Sequence, residues 1–312
     1  MNKKKILLIG SSVMELSLNM FRLPDVGESV TDDGGVAYLP GGGATGVAVA
    51  LSRLGADCVF CSKLGADSHG QSLYEHYRDM GINTSAIKVD HDYPTGLTVI
   101  LREGNGTERR ILYPGANENL TVENIAEAFA EQPDAMILDP TIPAAAAAAA
   151  GKIASVKGIP ICICPAGGVS APAFDALPAA EILVMDEATA ERLTDIRPSG
   201  AESSLRCALA AYRKVHTHYL MIRLSGMRGT FYYDGKHYGM VPIVGNVRHP
   251  QDISNLDDAY FASLVLGYLV GGDIKSAIQL GESALALCAL AGGGVKGFPT
   301  TTEVYQFLSK NR

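Results

Sequence analysis

Two hydrophobic periods take turns along this chain. Short apolar runs bounded by glycine, proline or charge, as in KKILLIG, CVFCSKLG, DAMILDP, IPICICP, EILVMD and HYLMIRLS, have the length and composition of buried strands. Between them lie segments with apolar residues three and four apart, the spacing of a helix face. GATGVAVALSRLG places Val47, Leu51 and Leu54 on one such face and stops at Gly55, and GQSLYEHYRDMG stops at Gly81. Helices are likewise predicted over the alanine run 144–150, EATAERLT, SNLDDAYFASLVLGYL and DIKSAIQLGESALALCALAGG, with GTFYYDG and KHYGMVPI forming a hairpin. This alternation predicts an α/β fold with a mostly parallel sheet covered by helices.

Two stretches break the rhythm. No helical spacing occurs between residues 14 and 41, and between 87 and 114 the segment GLTVILREGNGTERRILYP reads as two strands around the turn signal Gly104-Asn105-Gly106. One side of these strands is too polar for the parallel core. They are expected to form a small antiparallel sheet over one edge of it, a flap suited to covering a substrate.

At 312 residues and 47% hydrophobic composition the chain is long enough for a substantial core, as one large α/β domain or two small ones. The net charge of −7, with no basic run beyond Lys3, Lys4 and Lys5, excludes the electrostatic footprint of a nucleic-acid or anionic-membrane binder. The opening MNKKKILLIGSS mimics a signal peptide, but its apolar stretch is too short, so it is read as a first strand. No segment has the apolar length to span a bilayer, and the expected compartment is the cytoplasm.

Cys58 and Cys61 form a C-x-x-C, but on a strand positions three apart point to opposite faces, which argues against a shared metal. Cys162 and Cys164 share a face within an apolar run and are read as small core residues.

Chemistry gathers at two places. Gly41 to Gly43 stand immediately before a helix, where bare backbone N–H groups let a polar or anionic ligand approach; the same glycines also suit a tight loop. The adjacent carboxylates Asp257 and Asp258 open a long apolar helix. Ser254 or Asn255 can cap it, with both acids in the first turn as ordinary helix chemistry prefers.

In order and spacing, LLIGSSVMEL, LPDVGES, PGGGATGVAVALSRLGADCVFCSKLGADSHGQSL, GIN, PGAN, MDEATAERLT, GMRG and DISNLDDAYFASLVLGYL resemble the ribokinase or PfkB family of carbohydrate and nucleoside kinases over essentially the whole chain. The resemblance implies a single doubly wound α/β domain over 1–312, with a β lid over about 15–40 and 87–114. It also implies ATP with Mg²⁺, often with a monovalent cation such as K⁺, and γ-phosphoryl transfer to a hydroxyl of a sugar, sugar derivative or nucleoside. Asp258 then stands as catalytic base, with Asn255, Leu256 and Asp257 at the anion hole. Glu15, Gly42, Gly43, Gly46 and Asn117 fall at the substrate end. Asp186, Leu224, Gly226 and Gly229 fall beside the nucleotide, and Asp252 near the monovalent-cation site. His249, Arg109, Arg110 and Lys296 are weaker candidates for contact with nucleotide or phosphate, each also readable as a solvated side chain. A homodimer paired through the lids is expected.

Departures from the family pattern are concentrated at the site. Glu15 replaces Asp, Gly46 replaces Asn, Asp186 and Thr189 replace the Asn and Glu of an N-x-x-E, and Asn255, Leu256 and Asp257 replace Gly-Ala-Gly. Asp257 has three readings: it turns away as a favourable helix-start charge, it ligates a divalent ion, or phosphoryl transfer has been lost. The last belongs to an alternative function, a catalytically impaired homologue that binds sugar or nucleotide as a sensor or assembly subunit.

Overall fold

A computed structural model describes residues 3–31, 35–104, 107–165, 177–247 and 254–311. Asp252 and His249 lie outside the described residues, as do Asn105 and Gly106 of the lid turn.

The apolar runs become strands of a nine-stranded sheet in the order β13-β12-β11-β10-β9-β8-β1-β4-β5. Its members are β1 (Lys5–Ile9), β4 (Asp57–Gly65), β5 (Ile87–Asp90), β8 (Ala135–Leu138), β9 (Ile161–Ile163), β10 (Ala180–Asp186), β11 (Thr217–Leu224), β12 (Gly229–Tyr233) and β13 (Tyr238–Val241). Pairing is parallel from β5 through β11, and the β12 and β13 edge is antiparallel. A sheet of nearly all-apolar strands must be covered on both faces. On one face lie α1 (Thr45–Arg53), α2 (Ser68–Asp79), α7 (Leu256–Gly271), α8 (Ile274–Leu290) and α9 (Thr301–Lys310). On the other lie α3 (Val122–Ala128), α4 (Ala144–Lys157), α5 (Glu187–Thr194) and α6 (Ala201–Tyr212).

This is the expected doubly wound α/β architecture, and β1 is its pivot. The chain runs from β1 outward through β4 and β5, then returns to β8 on the other side of β1 and proceeds outward again. The strand order therefore reverses between β1 and β8, and such a switch leaves a crevice at the carboxyl ends of the strands.

A second sheet, in the order β3-β2-β6-β7, is built from β2 (Val13–Met20), β3 (Val36–Gly41), β6 (Gly96–Glu103) and β7 (Glu108–Tyr113). Its two hairpin pairs are antiparallel, and a parallel β2–β6 pairing joins them. The stretch Ile87–Asp90, expected in the lid, instead pairs with β4 at the edge of the large sheet. Its hydrogen-bonding edge is used there and is not available to the flap.

Cys58 and Cys61 do point to opposite faces, into different cores, while Cys162 and Cys164 share one. All are free and buried, and burial pushes the Cys61 thiol up to about 12. Among the described residues no helix is long and apolar enough to cross a membrane.

Candidate active site

Loops and helix starts converge at the β1/β8 switch. The carboxylate of Asp139, one residue past β8, is fully buried and accepts hydrogen bonds from the Ser11 amide (3.0 Å) and hydroxyl (2.9 Å) and from the Thr141 amide (2.9 Å) and hydroxyl (2.7 Å). Two loops are thereby tied to one acceptor set, which a buried carboxylate requires. The glycine loop is laid across it. At Gly43 a Cβ would meet Asp139 Oδ2 at 2.5 Å, and at Gly42, with φ +104°, it would meet the Ser11 carbonyl at 2.6 Å. Only glycine permits this approach.

The loop feeds α1, whose N-cap is Ala44 with no side-chain cap, and α7 likewise starts at Asn255 without one. By contrast, Asp67, Thr121, Asp186, Asp273 and Thr300 cap α2, α3, α5, α8 and α9. Two helix starts facing this crevice thus lack a side-chain acceptor for their first-turn N–H groups, which is the arrangement that receives an anion.

Asp257 and Asp258 are consecutive in the first turn of α7, so they diverge by about 100° around the helix and serve different partners. Asp258 points at α1. A Cβ on Gly46 would collide with its carboxylate and sit 2.8 Å from Asn255 Nδ2. Asn255, left-handed at φ 58°, spends its amide on Asp258 Oδ2 at 2.7 Å instead of on the helix. Burial pushes the Asp258 carboxyl up to about 7, with the Asn255 hydrogen bond opposing and the charges of Asp257, Glu15 and Asp139 reinforcing. A half-buried carboxyl held near neutrality is a group able to accept a proton.

Asp257 turns the other way, onto the Arg223 guanidinium. Arg223 pairs in register with Asp186 on β10 and Thr230 on β12, all on the face covered by α7 and α8. This pairing argues against Asp257 as a divalent-cation ligand, because a guanidinium in contact repels a second cation. Behind the pair lies Glu282, fully buried, whose Oε1 accepts from Thr230 Oγ1 at 2.7 Å while Oε2 has no partner among the described residues.

Glu15 of β2 folds over Gly41 and accepts from the Gly42 amide; burial raises its pKa, with Arg110 and Arg102 opposing. It is close enough to Asp258 for their charges to interact, so the lid and α7 face the same crevice.

Other expected site residues are placed elsewhere. Asn117 is buried, its amide group donating to the Ser12 and Pro114 carbonyls (both 2.8 Å) and accepting from the Ser12 amide (2.9 Å); it is a strut at the base of the lid with nothing left for a substrate. Leu224 and Leu256 bury their side chains in the core, so each can offer only backbone. Asp186 caps α5 through the Thr189 amide (2.5 Å), and Thr189 is itself buried. Gly226 and Gly229 lie at positive φ between β11 and β12, in a loop anchored by Glu187 through the Ser225 amide (2.9 Å), the Ser225 hydroxyl (2.6 Å) and Arg228. Arg110 shares the Glu15 side of the lid, whereas Arg109 lies on the opposite face, and Lys296 is exposed.

Asp139, Arg223 and Glu282 were not singled out from the sequence. Their common signal is a charged residue within or at one end of an otherwise apolar run, in DAMILDP, HYLMIRLS and ESALALCAL.

This architecture has relatives throughout its length. The chain is 26% identical to ribokinase of Haemophilus influenzae over 98% of its own length and 99% of the relative's, and 25% identical to ribokinase of Bacillus subtilis over 98% and 100%. Among solved structures, its fold is similar to that of Arabidopsis thaliana ribokinase complexed with ribose and ATP, with a TM-score of 0.86 at 20% identity, covering 98% of this chain and 99% of that one. Ribokinase from Cryptococcus neoformans in complex with ADP gives a TM-score of 0.82 at 19% identity over 98% and 99%. The family profile described as pfkB family carbohydrate kinase matches residues 3–301, and the chain belongs to that family.

Proposed function

We propose that this pfkB-family enzyme transfers the γ-phosphoryl group of ATP to a hydroxyl of a ribose-like sugar, with Asp258 as the base. The carrying observation is Asp258 itself, held near neutral pKa at the uncapped start of α7 and facing Gly46 in the first turn of α1. A substrate hydroxyl seated against Asp258 gives up its proton as the oxygen attacks, and the first-turn N–H groups of α7 receive the charge of the transferring phosphoryl. Glu15, from the lid, and the Gly42–Gly43 backbone are the polar groups available to orient the sugar. The names of the curated relatives support ribose as the first substrate to try.

The adenine nucleotide fits at the Gly226–Gly229 side, where open backbone precedes β12. Mg²⁺ is held largely by phosphates and water in such enzymes, so it needs no protein cage, and when bound it neutralises phosphate charge. Among the described residues there is no group of three or more acidic, His or Cys side chains that could hold a metal. A K⁺ site at Asp252 is kept only as an expectation. The lid closes over the sugar about the Ser12 and Asn117 anchor, and the working unit is a cytoplasmic homodimer joined through the outer lid face.

The alternative, an impaired homologue, drew its force from a bare Asp257 at the anion hole. The Arg223 ion pair removes much of that objection. The test is ADP release with ATP, Mg²⁺ and a panel of pentoses, hexoses and nucleosides. Asp258→Asn should lower kcat by about 10²- to 10⁴-fold while sugar binding, followed by calorimetry, persists. Full turnover in that variant removes Asp258 from the role, and sugar binding with no ADP formed by the wild type at high enzyme concentration overturns the kinase reading.

A further inference from the structure

The geometry assigns to Asn255 a positioning role that rests on the reading of Asp258 as base: its side-chain amide, anchored by a left-handed backbone and received into the space left by Gly46, aims the Asp258 carboxylate at the substrate hydroxyl. Several observations meet here. Asn255 occupies an N-cap position yet does not cap, so its amide is committed to Asp258 Oδ2 at 2.7 Å rather than to α7. Its φ of 58° is one that non-glycine residues adopt at a cost, and asparagine is among those that tolerate it best. At position 46 no side chain can coexist with this arrangement, since a Cβ there would strike the Asp258 carboxylate and press on Asn255 Nδ2 at 2.8 Å. The pair is therefore complementary: a bare α1 surface and a donor supplied from the start of α7.

Chemistry gives the donor its importance. Around Asp258 the charges of Asp257 on its own helix, Glu15 from β2 and Asp139 beyond β8 are all negative, and Cys164 beyond β9 is a buried thiol. Every one of those carboxylates favours the protonated, non-basic form. Among the described groups acting directly on Asp258, the Asn255 amide alone favours the charged form. It holds one oxygen of the carboxylate, Oδ2. Without the donor, the carboxyl both gains rotational freedom and titrates higher.

The experiment compares Asn255→Gly, which keeps the left-handed backbone and removes the donor, with Asn255→Asp, which keeps the shape and replaces donor by acceptor. In pH profiles of kcat, the acidic limb should move up by about one unit in the first and further in the second, since a hydrogen bond to a charged group has that effect on its titration. At pH 6.5 kcat should fall about tenfold, recovering by pH 9, with KM for sugar and ATP within about threefold of wild type. Titration of ¹³C-aspartate carboxylates by NMR reads the same shift at Asp258 with no turnover required. An unmoved limb and an unmoved Asp258 resonance in both variants overturn the assignment. Full activity of Asp258→Asn would instead overturn the base reading itself, so the two failures are distinguishable.

Discussion

Arg223 on β11 and Asp257 in the first turn of α7 form an ion pair beside the helix start that faces the crevice. The guanidinium is mostly enclosed, at 14% side-chain exposure, while the carboxylate keeps 42%. A cation under the carboxylate offsets the repulsion a triphosphate would otherwise meet. Two like unit charges in contact cost about 4 kcal/mol at an effective dielectric near 20, and partial exposure reduces this to about 1–2 kcal/mol.

Arg223→Met should therefore lower kcat/KM for ATP by about tenfold. Adding Asp257→Asn to that variant should restore most of the loss, because the uncompensated charge is then gone. Steady-state kinetics on the two single variants and the double variant form the required cycle. A double variant as weak as Arg223→Met alone would show that Arg223 acts on the nucleotide directly and not by screening Asp257.

Asp139 holds the switch-point loops together. It is fully buried and accepts from two amides and two hydroxyls, so truncation strands several donors at once. Asp139→Ala should cost about 3–5 kcal/mol and lower Tm by about 10 °C in thermal unfolding. Asp139→Asn, which keeps the volume but turns a donor toward donors, should cost less. A Tm within two or three degrees of wild type for the alanine variant would contradict this anchoring role.

Much of this fold was legible because its strands are nearly pure apolar runs and its main site helices carry clear stops, as at Gly55 and Gly81. Helices α3 and α6 gave little signal: α3 is short, and α6 is built largely of alanine and serine, with few large apolar residues to mark a face. Ile87–Asp90 looked like lid because polarity along a strand does not tell which sheet its edge will join. At the site, the motif order pointed to Asp258, Glu15 and the glycines, and the structure sets Asp258 against Gly46 and Glu15 against Gly41. What remained hidden was partnership. Asn117 and Asp186 are the right residue types for ligand contact, yet the Asn117 amide is spent on Ser12 and Pro114, and one Asp186 oxygen accepts from the Thr189 amide. Arg223, 34 positions before Asp257 in the chain, becomes its neighbour only when β11 packs beneath α7.

Glu282 gives a pH prediction with a definite sign. Burial pushes its carboxyl up to about 7 from an ordinary value of 4.5, with Thr230 and Arg223 opposing. Because the folded state holds this proton more tightly than the unfolded chain, its contribution to stability is full below about pH 4.5 and is lost as pH rises through 7. Glu282→Gln keeps an acceptor for Thr230 and cannot ionise. It should be more stable than wild type at pH 8 by about 1–3 kcal/mol, with the difference shrinking toward pH 5. Thermal unfolding at both pH values measures this. A constant difference across the range would mean that Glu282 does not titrate there.

The outer lid face gives the last prediction. Residues paired across strands share a side, so Tyr38, Leu16, Val99 and Ile111 form one row and Val36, Leu18, Leu101 and Arg109 the next. Tyr38 remains 57% and Ile111 62% exposed, and Val36 is also open, although Tyr38 stacks on His69 of α2 at one corner. An apolar sheet face of this kind, opposite the face that carries Glu15, is suited to a second copy of itself in the proposed homodimer. On the proposed dimer, Val99→Glu puts a charge at the centre of the interface and should give a monomer by light scattering at tens of micromolar, where the wild type should be a dimer. Ile111→Glu, at the rim, should weaken association less, since rim charges stay hydrated. On the proposed closure of the lid over the sugar, which needs the lid held in register, Val99→Glu should also raise KM for sugar more than KM for ATP. A wild-type chain that is monomeric at that concentration rules out this use of the face.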